Sequence, residues 1–160
     1  MKKILTLCMV IKEKEILLGM KKRGFGVGKW NGFGGKIEEN ETIEEGAVRE
    51  LKEEIGIGAT EIEKVGIINF SVLDDPVSLE VHVFKVLKFI GEPIESEEMR
   101  PQWFSLGAIP FSEMWPDDIY WLPIVLNGKL FTGNFLFDKP IDSKYSDTII
   151  KYDLTEVDTL

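Results

Sequence analysis

Apolar and polar residues follow two rhythms along this chain. Residues 3–11 and 15–21 are apolar, β-rich runs parted by the polar turn Lys12-Glu13-Lys14, and they read as two strands. The rhythm changes at residues 43–55, where Ile43, Ala47, Leu51 and Ile55, flanked by Val48, recur at helical spacing and form one stripe suited to packing on a sheet. Thr42 followed three residues later by Glu45 is a capping box, and Gly56 supplies a left-handed stop, so a helix is predicted over 43–55. Strand grammar returns at 65–73 and 79–90, the second alternating through Val81 and Val83, and the turn Asp74-Asp75-Pro76 between them predicts a hairpin. A short strand at 102–104 follows, then two short helical pieces within 112–126 with Asp118 as an N-cap. Closing strands are predicted at 129–137 and 148–154, parted by a polar, proline-bearing insert at 138–147. This order predicts an α/β fold, a mixed β-sheet sandwiched between helices in an α/β/α arrangement.

Composition narrows the class. At 160 residues and 44% hydrophobic content the chain is expected to form one domain over residues 1–160, with enough apolar material for a core. Its apolar runs fall far short of the ~20 residues of a transmembrane helix, and the N-terminus lacks the apolar segment of a signal peptide, so no membrane partner is expected. A single cysteine, Cys8, has no internal disulfide partner and fits a reducing, cytoplasmic setting. The net charge of −9 argues against a nucleic acid polymer as partner. A nucleotide carried with a divalent cation escapes that objection. A monomer is expected.

The candidate chemistry is concentrated at residues 35–57. Glu50, Glu53 and Glu54 stand three and four residues apart, so on a helix their carboxylates gather along one edge beside the apolar stripe. Clustered carboxylates repel each other unless a cation lies among them, and hard oxygen donors favour Mg2+ or Mn2+. Arg49 is expected to orient a carboxylate through a bidentate pair. Glu44, Glu45 and Lys52 read as an ordinary solvated helix face. Between the first two strands and this helix, Lys21, Lys22, Arg23 and Lys29 share a glycine-rich loop. That loop either approaches phosphates or is a solvated hairpin turn, and charge pattern alone leaves both open. The lone histidine, His82, faces away from Val81 and Val83 in its strand and reads as structural.

Gly35, Glu41, Arg49, Glu50, Leu51, Glu53, Glu54, Gly56 and Ile57 spell G-x5-E-x7-R-E-U-x-E-E-x-G-U, with U aliphatic. This pattern resembles the signature of the Nudix hydrolases, a family whose fold is the same α/β/α sandwich. The stretches GMKKRGFGVGKWNGFGGK, EMRPQWF and MWPDDIYW resemble, more narrowly, MutT-type members that act on oxidised purine nucleoside triphosphates, and the likeness runs from about residue 6 to residue 157. Gln102, where a cysteine is expected, and the long polar insert depart from that pattern. The resemblance implies hydrolysis of such a triphosphate to monophosphate and pyrophosphate, with Mg2+ as cofactor. It implies Gly35, Glu50, Glu53, Glu54 and Glu98 as metal ligands, and Arg49 beside them in the catalytic group. One of the glutamates, or Glu98, then takes the proton of the attacking water. It also implies a base pocket of Asn31, Asp117 and Asp118 walled by Phe25, Phe70, Met99, Trp115 and Trp121, with Thr6 and Lys21 nearby. Two adjacent aspartates can read altered purine donors and acceptors if one of them holds a proton. Local sequence by itself reads them as turn and helix cap. Other Nudix substrates, such as a nucleotide sugar, a dinucleotide or capped RNA, and a binding module without turnover, are the competing readings.

Overall fold

The computed structural model describes residues 1–139 and 148–160, so most of the predicted polar insert lies outside the described residues. One mixed sheet carries β1 (Lys2–Lys12), β2 (Glu15–Lys21), β3 (Trp30–Asn31), β4 (Gly58–Val72), β5 (Ser78–Ile90), β6 (Met99–Ser105), β7 (Leu130–Phe137) and β8 (Ile149–Val157), in the order β3-β2-β1-β5-β4-β7-β8 with β6 also paired to β2. β1 pairs in parallel with β5 and β4 in parallel with β7, while the remaining ladders are antiparallel.

The strand period of two divides the core between the two faces. On one face Cys8, Val10, Leu17, Phe84 and Val86 receive Ala47, Leu51 and Ile55 of α1 (Ile43–Ile55). On the other, Met9, Ile16, Leu18, Val81, Val83 and Phe131 receive Trp121, Leu122 and Val125 of α2 (Asp118–Leu126). Helices therefore cover both faces, as the order of elements predicts. α1 has the expected bounds: the Thr42 hydroxyl accepts from the Glu45 N–H at 3.0 Å, and Gly56 closes the helix at φ 77°.

Several elements differ from expectation: β3 has no counterpart among the predicted strands, and β8 runs on to Val157 rather than ending at 154. β4 begins at Gly58 rather than at 65, because register shifts at Ala59/Glu61, Glu61/Ile62 and Lys64/Gly66 break the alternation that would have revealed its first half. β6 is longer than the predicted 102–104, since all seven residues from Met99 to Ser105 pair with β2. Asp118 is not the cap of α2. Asp117 holds that position, neither carboxylate caps the helix, and Asp118 lies buried in its first turn.

Candidate active site

A cleft of about 520 Å³ opens on the α2 face of the sheet, between β1, β4 and β5, the loop at 22–29 and the start of α2. Of the residues singled out from sequence, Thr6, Lys21, Phe25, Asn31, Gly35, Glu54, Phe70, Met99, Trp115, Asp117 and Asp118 line it. Lys3, Leu5, Leu7, Lys36, Leu79 and Val81 also line it and were not anticipated. Their signal was the alternation itself, since the odd residues of β1 and β5 share one face.

At one end two carboxyls are almost wholly buried, Asp117 at 3% and Asp118 at 2% exposure. The Trp121 indole N–H donates to Asp117 Oδ2 at 2.8 Å, whereas Asp118 Oδ2 is buried without a hydrogen-bond partner among the described residues. Burial pushes Asp117 up to about 6; burial, with the neighbouring Asp117 charge, holds Asp118 well above the usual carboxylate range. The pair therefore favours sharing a proton over carrying two charges. Trp121 is not a pocket wall: one helical turn beyond Asp117, it points into the core, stacks on Phe131 at 5.7 Å and steadies Asp117 from behind.

Because both aspartates titrate above their unfolded values, their contribution to stability is full below about pH 4. It is lost as pH rises through about 6 and beyond. Asp118→Asn removes the costlier of the two charges. The difference in melting temperature, variant minus parent, is therefore expected to become more positive between pH 4 and 8 in metal-free buffer. A difference that stays flat across that range would mean the pair ionises freely.

Trp115 forms the adjoining wall. Phe25 stacks on it at 5.4 Å, and the Lys29 ammonium lies 5.4 Å from its ring centre. The loop can fold back this far because Gly24, Gly26 and Gly28 all take positive φ, and a Cβ on Gly26 would press on the Trp115 ring at 3.0 Å. Its basic residues serve the protein itself: Lys22 pairs with Glu95 at 2.6 Å and Arg23 with Glu97 and Glu98 at 3.4 and 3.7 Å. Of the four basic residues in this loop region, Lys21 is the one that lines the cleft, 3.8 Å from Glu98.

At the other end, α1 meets the glycine turn. Glu54, 7% exposed, accepts the Gly34 N–H at 2.9 Å. A Cβ at Gly34 would run into the Thr6 carbonyl oxygen, and one at Gly35 would come within 2.7 Å of Glu50 Oε1, so only glycine brings this turn against the helix. The Gly35 carbonyl accepts from the Thr6 N–H at 2.9 Å. Burial first, and the Glu50 charge second, push Glu54 up to about 8.

The three box glutamates do not all converge. Arg49 grips Glu41 with two bonds of 3.0 and 2.7 Å and reaches Glu50 and the exposed Glu53 through one nitrogen at 3.1 Å each. The bidentate pair expected of Arg49 therefore falls on Glu41, whose carboxyl it holds down at about 2. Glu98 is half exposed and tied to Lys21 and Arg23. Among the described residues no three of His, Cys, Asp and Glu close into a ready metal cage. The donor chemistry nevertheless fits a hard divalent cation: Glu50 and Glu54 repel each other across a glycine turn, with only oxygen atoms on offer. His82 lies apart from this cleft, buried and bonded to Glu80 at 2.7 Å.

The sequence matches the NUDIX domain over residues 1–124. The chain belongs to the Nudix family. It is 51% identical to the oxidized purine nucleoside triphosphate hydrolase of Mus musculus over 157 residues, covering 98% of this chain and 97% of the mouse protein. It is 49% identical to the enzyme of the same name from Danio rerio, covering 99% and 97%. Among solved structures, a MutT protein from Bacillus halodurans superposes with a TM-score of 0.82 at 27% identity, covering 95% of this chain and 97% of that one. The Nudix assignment makes this protein a pyrophosphohydrolase with a divalent metal requirement. No helix among the described residues is long and apolar enough to cross a membrane.

Proposed function

We propose that this protein hydrolyses oxidised purine nucleoside triphosphates, 8-oxo-dGTP and 2-hydroxy-dATP among them, to the monophosphate and pyrophosphate, and so clears damaged precursors from the nucleotide pool. The observation that carries this reading is the pairing of two features in one cleft: the adjacent buried carboxyls of Asp117 and Asp118 at one end, and Glu54, beside the glycine turn and Glu50, at the other. The names of the mouse and zebrafish relatives support it. We take residues 1–160 as one domain acting as a cytoplasmic monomer.

With one proton shared between them, one of Asp117 and Asp118 donates to a purine acceptor and the other accepts from a purine donor, so the two together read a base edge. Trp115 and Phe25 present flat faces to the ring, and Phe70 and Met99 line the same cleft. Asn31 supplies a further amide at the pocket, and Thr6 fastens the glycine turn beneath it. Lys21 extends toward the phosphates from the end of β2. Glu50 and Glu54, with Glu53, Glu98 and the Gly35 carbonyl, would hold Mg2+; Mn2+ suits the same oxygen donors. The bound cation supplies neutralisation of phosphate charge and makes water a better nucleophile. Arg49 keeps Glu50 aimed at the turn, and one of the four glutamates accepts the water's proton.

The test is a turnover panel with Mg2+ against 8-oxo-dGTP, 2-hydroxy-dATP, dGTP, dATP, a nucleotide sugar and a dinucleotide. The oxidised purines are expected to exceed their parents in kcat/KM, with pyrophosphate as co-product. Turnover confined to the last two substrates would overturn the reading.

A further inference from the structure

Three lysines line the cleft, and one of them has no evident structural role. Lys21 stands 3.8 Å from Glu98. Lys36 directly follows the glycine turn and is exposed on the rim. Lys3 is different, being half-buried on β1 with no ion pair or hydrogen bond from its ammonium among the described residues. Its neighbour Lys2, on the opposite side of the strand, has a carboxylate partner in Glu80 at 3.0 Å. A lysine on the wall of a cleft, with no carboxylate at ion-pair distance among the described residues, is placed for an anion that arrives from outside.

The ladders fix where that anion would lie. Residues 31–37 run antiparallel to β1, bridging Phe33 to Cys8 and Lys36 to Leu5. Moving down β1 from Cys8 toward its start, the cleft therefore passes from the Asn31 end to the Gly35 turn opposite Thr6, then Lys36, then Lys3. Lys3 also sits opposite Leu79 in the parallel β5 ladder, with Leu79 itself in the cleft wall. At about 3.3 Å per residue, Lys3 lies roughly 10 Å along the strand beyond Thr6, and its own four-carbon stem reaches back over part of that gap. A polyphosphate that passes from the Glu54 turn along Lys36 comes within reach of Lys3.

Resting on the function proposed above, we propose that Lys3 binds the terminal phosphate of the substrate and holds the pyrophosphate product, so that it selects for triphosphate length. As a point charge on a flexible stem it contacts an anion without fixing its orientation, which suits a group that must leave after bond cleavage. Its contribution falls on affinity for the distal phosphates and leaves base recognition alone.

The experiment measures binding of magnesium pyrophosphate and of the nucleoside monophosphate by calorimetry, separately, to the parent, Lys3→Gln, Lys3→Arg and Lys12→Gln. Lys12 lies at the far end of the same strand and controls for the change in net charge. Lys3→Gln is expected to weaken magnesium pyrophosphate roughly tenfold while leaving the monophosphate within about twofold, and Lys3→Arg to retain most of the affinity. In turnover, Lys3→Gln raises KM for the triphosphate more than it lowers kcat. The proposal falls if the parent does not bind magnesium pyrophosphate, if Lys3→Gln binds it as tightly as the parent, or if Lys12→Gln weakens it equally. Equal weakening of both ligands would make Lys3 structural and also overturn it. If pyrophosphate affinity depends on Lys3 but no oxidised purine triphosphate is hydrolysed, the polyphosphate site stands and the substrate assignment falls.

Discussion

Replacing Glu54 by Gln is expected to lower kcat by at least about a hundredfold, the scale of losing a metal-binding or proton-transfer group. The fold should be retained. Gln keeps an oxygen to accept the Gly34 N–H and nearly the same volume, while removing the charge that burial and Glu50 already disfavour. Its melting temperature in metal-free buffer should therefore equal or exceed the parent's, and only the parent should gain stability on adding Mg2+. Activity and thermal stability are read on the same preparations. Near-parental turnover by the variant would remove Glu54 from the metal site, and parental turnover that survives excess EDTA would remove the metal from the mechanism.

Asp117→Asn and Asp118→Asn are each expected to shift the preference between oxidised guanine and oxidised adenine triphosphates by about tenfold or more. A buried polar group left without its partner costs about 1 to 3 kcal/mol, and an amide cannot change its pattern of donors as a carboxyl can. Asp118 Oδ2 has no hydrogen-bond partner among the described residues, so its substitution leaves that atom's place to the ligand. Asp117 is already bonded by Trp121, so its substitution also loosens the helix turn behind it. The measurement is kcat/KM on 8-oxo-dGTP, 2-hydroxy-dATP, dGTP and dATP for both variants, with the metal requirement unchanged. Equal losses on all four would assign the pair a structural role and leave substrate choice resting on the relatives.

How much of this was legible in the sequence depends on whether a feature is local. The helix at 43–55 announced itself through Thr42, Glu45, Gly56 and a stripe of period 3.6, all within a few residues of one another, and its ends came out as expected. β4 was half hidden because its irregular register lives in the pairing with β5, which no window of residues displays. The capping role expected of Asp118 failed for a related reason: Pro-Asp-Asp is ordinary helix-start chemistry, and only the burial of both side chains by distant strands turns it to another use. Helical spacing placed Glu50, Glu53 and Glu54 along one edge. It did not show that Arg49, reaching back to Glu41 and to the Lys36 carbonyl, would also bond Glu50 and Glu53. Lys3 was unremarkable as a letter, and it becomes conspicuous only when β5 and residues 31–37 close around β1.

The Arg49 clamp has a consequence for the life of the protein before it meets its cofactor. One guanidinium, whose proton is held even more firmly than usual by Glu41 and Glu50, compensates an acidic helix from within the chain. Small zinc domains need their ion in order to fold, since the ion is the main counter-charge they have. Here the counter-charge is encoded in the polypeptide. Arg49 stands, in part, where such a domain needs its ion, and the acidic helix is partly neutralised by the chain itself.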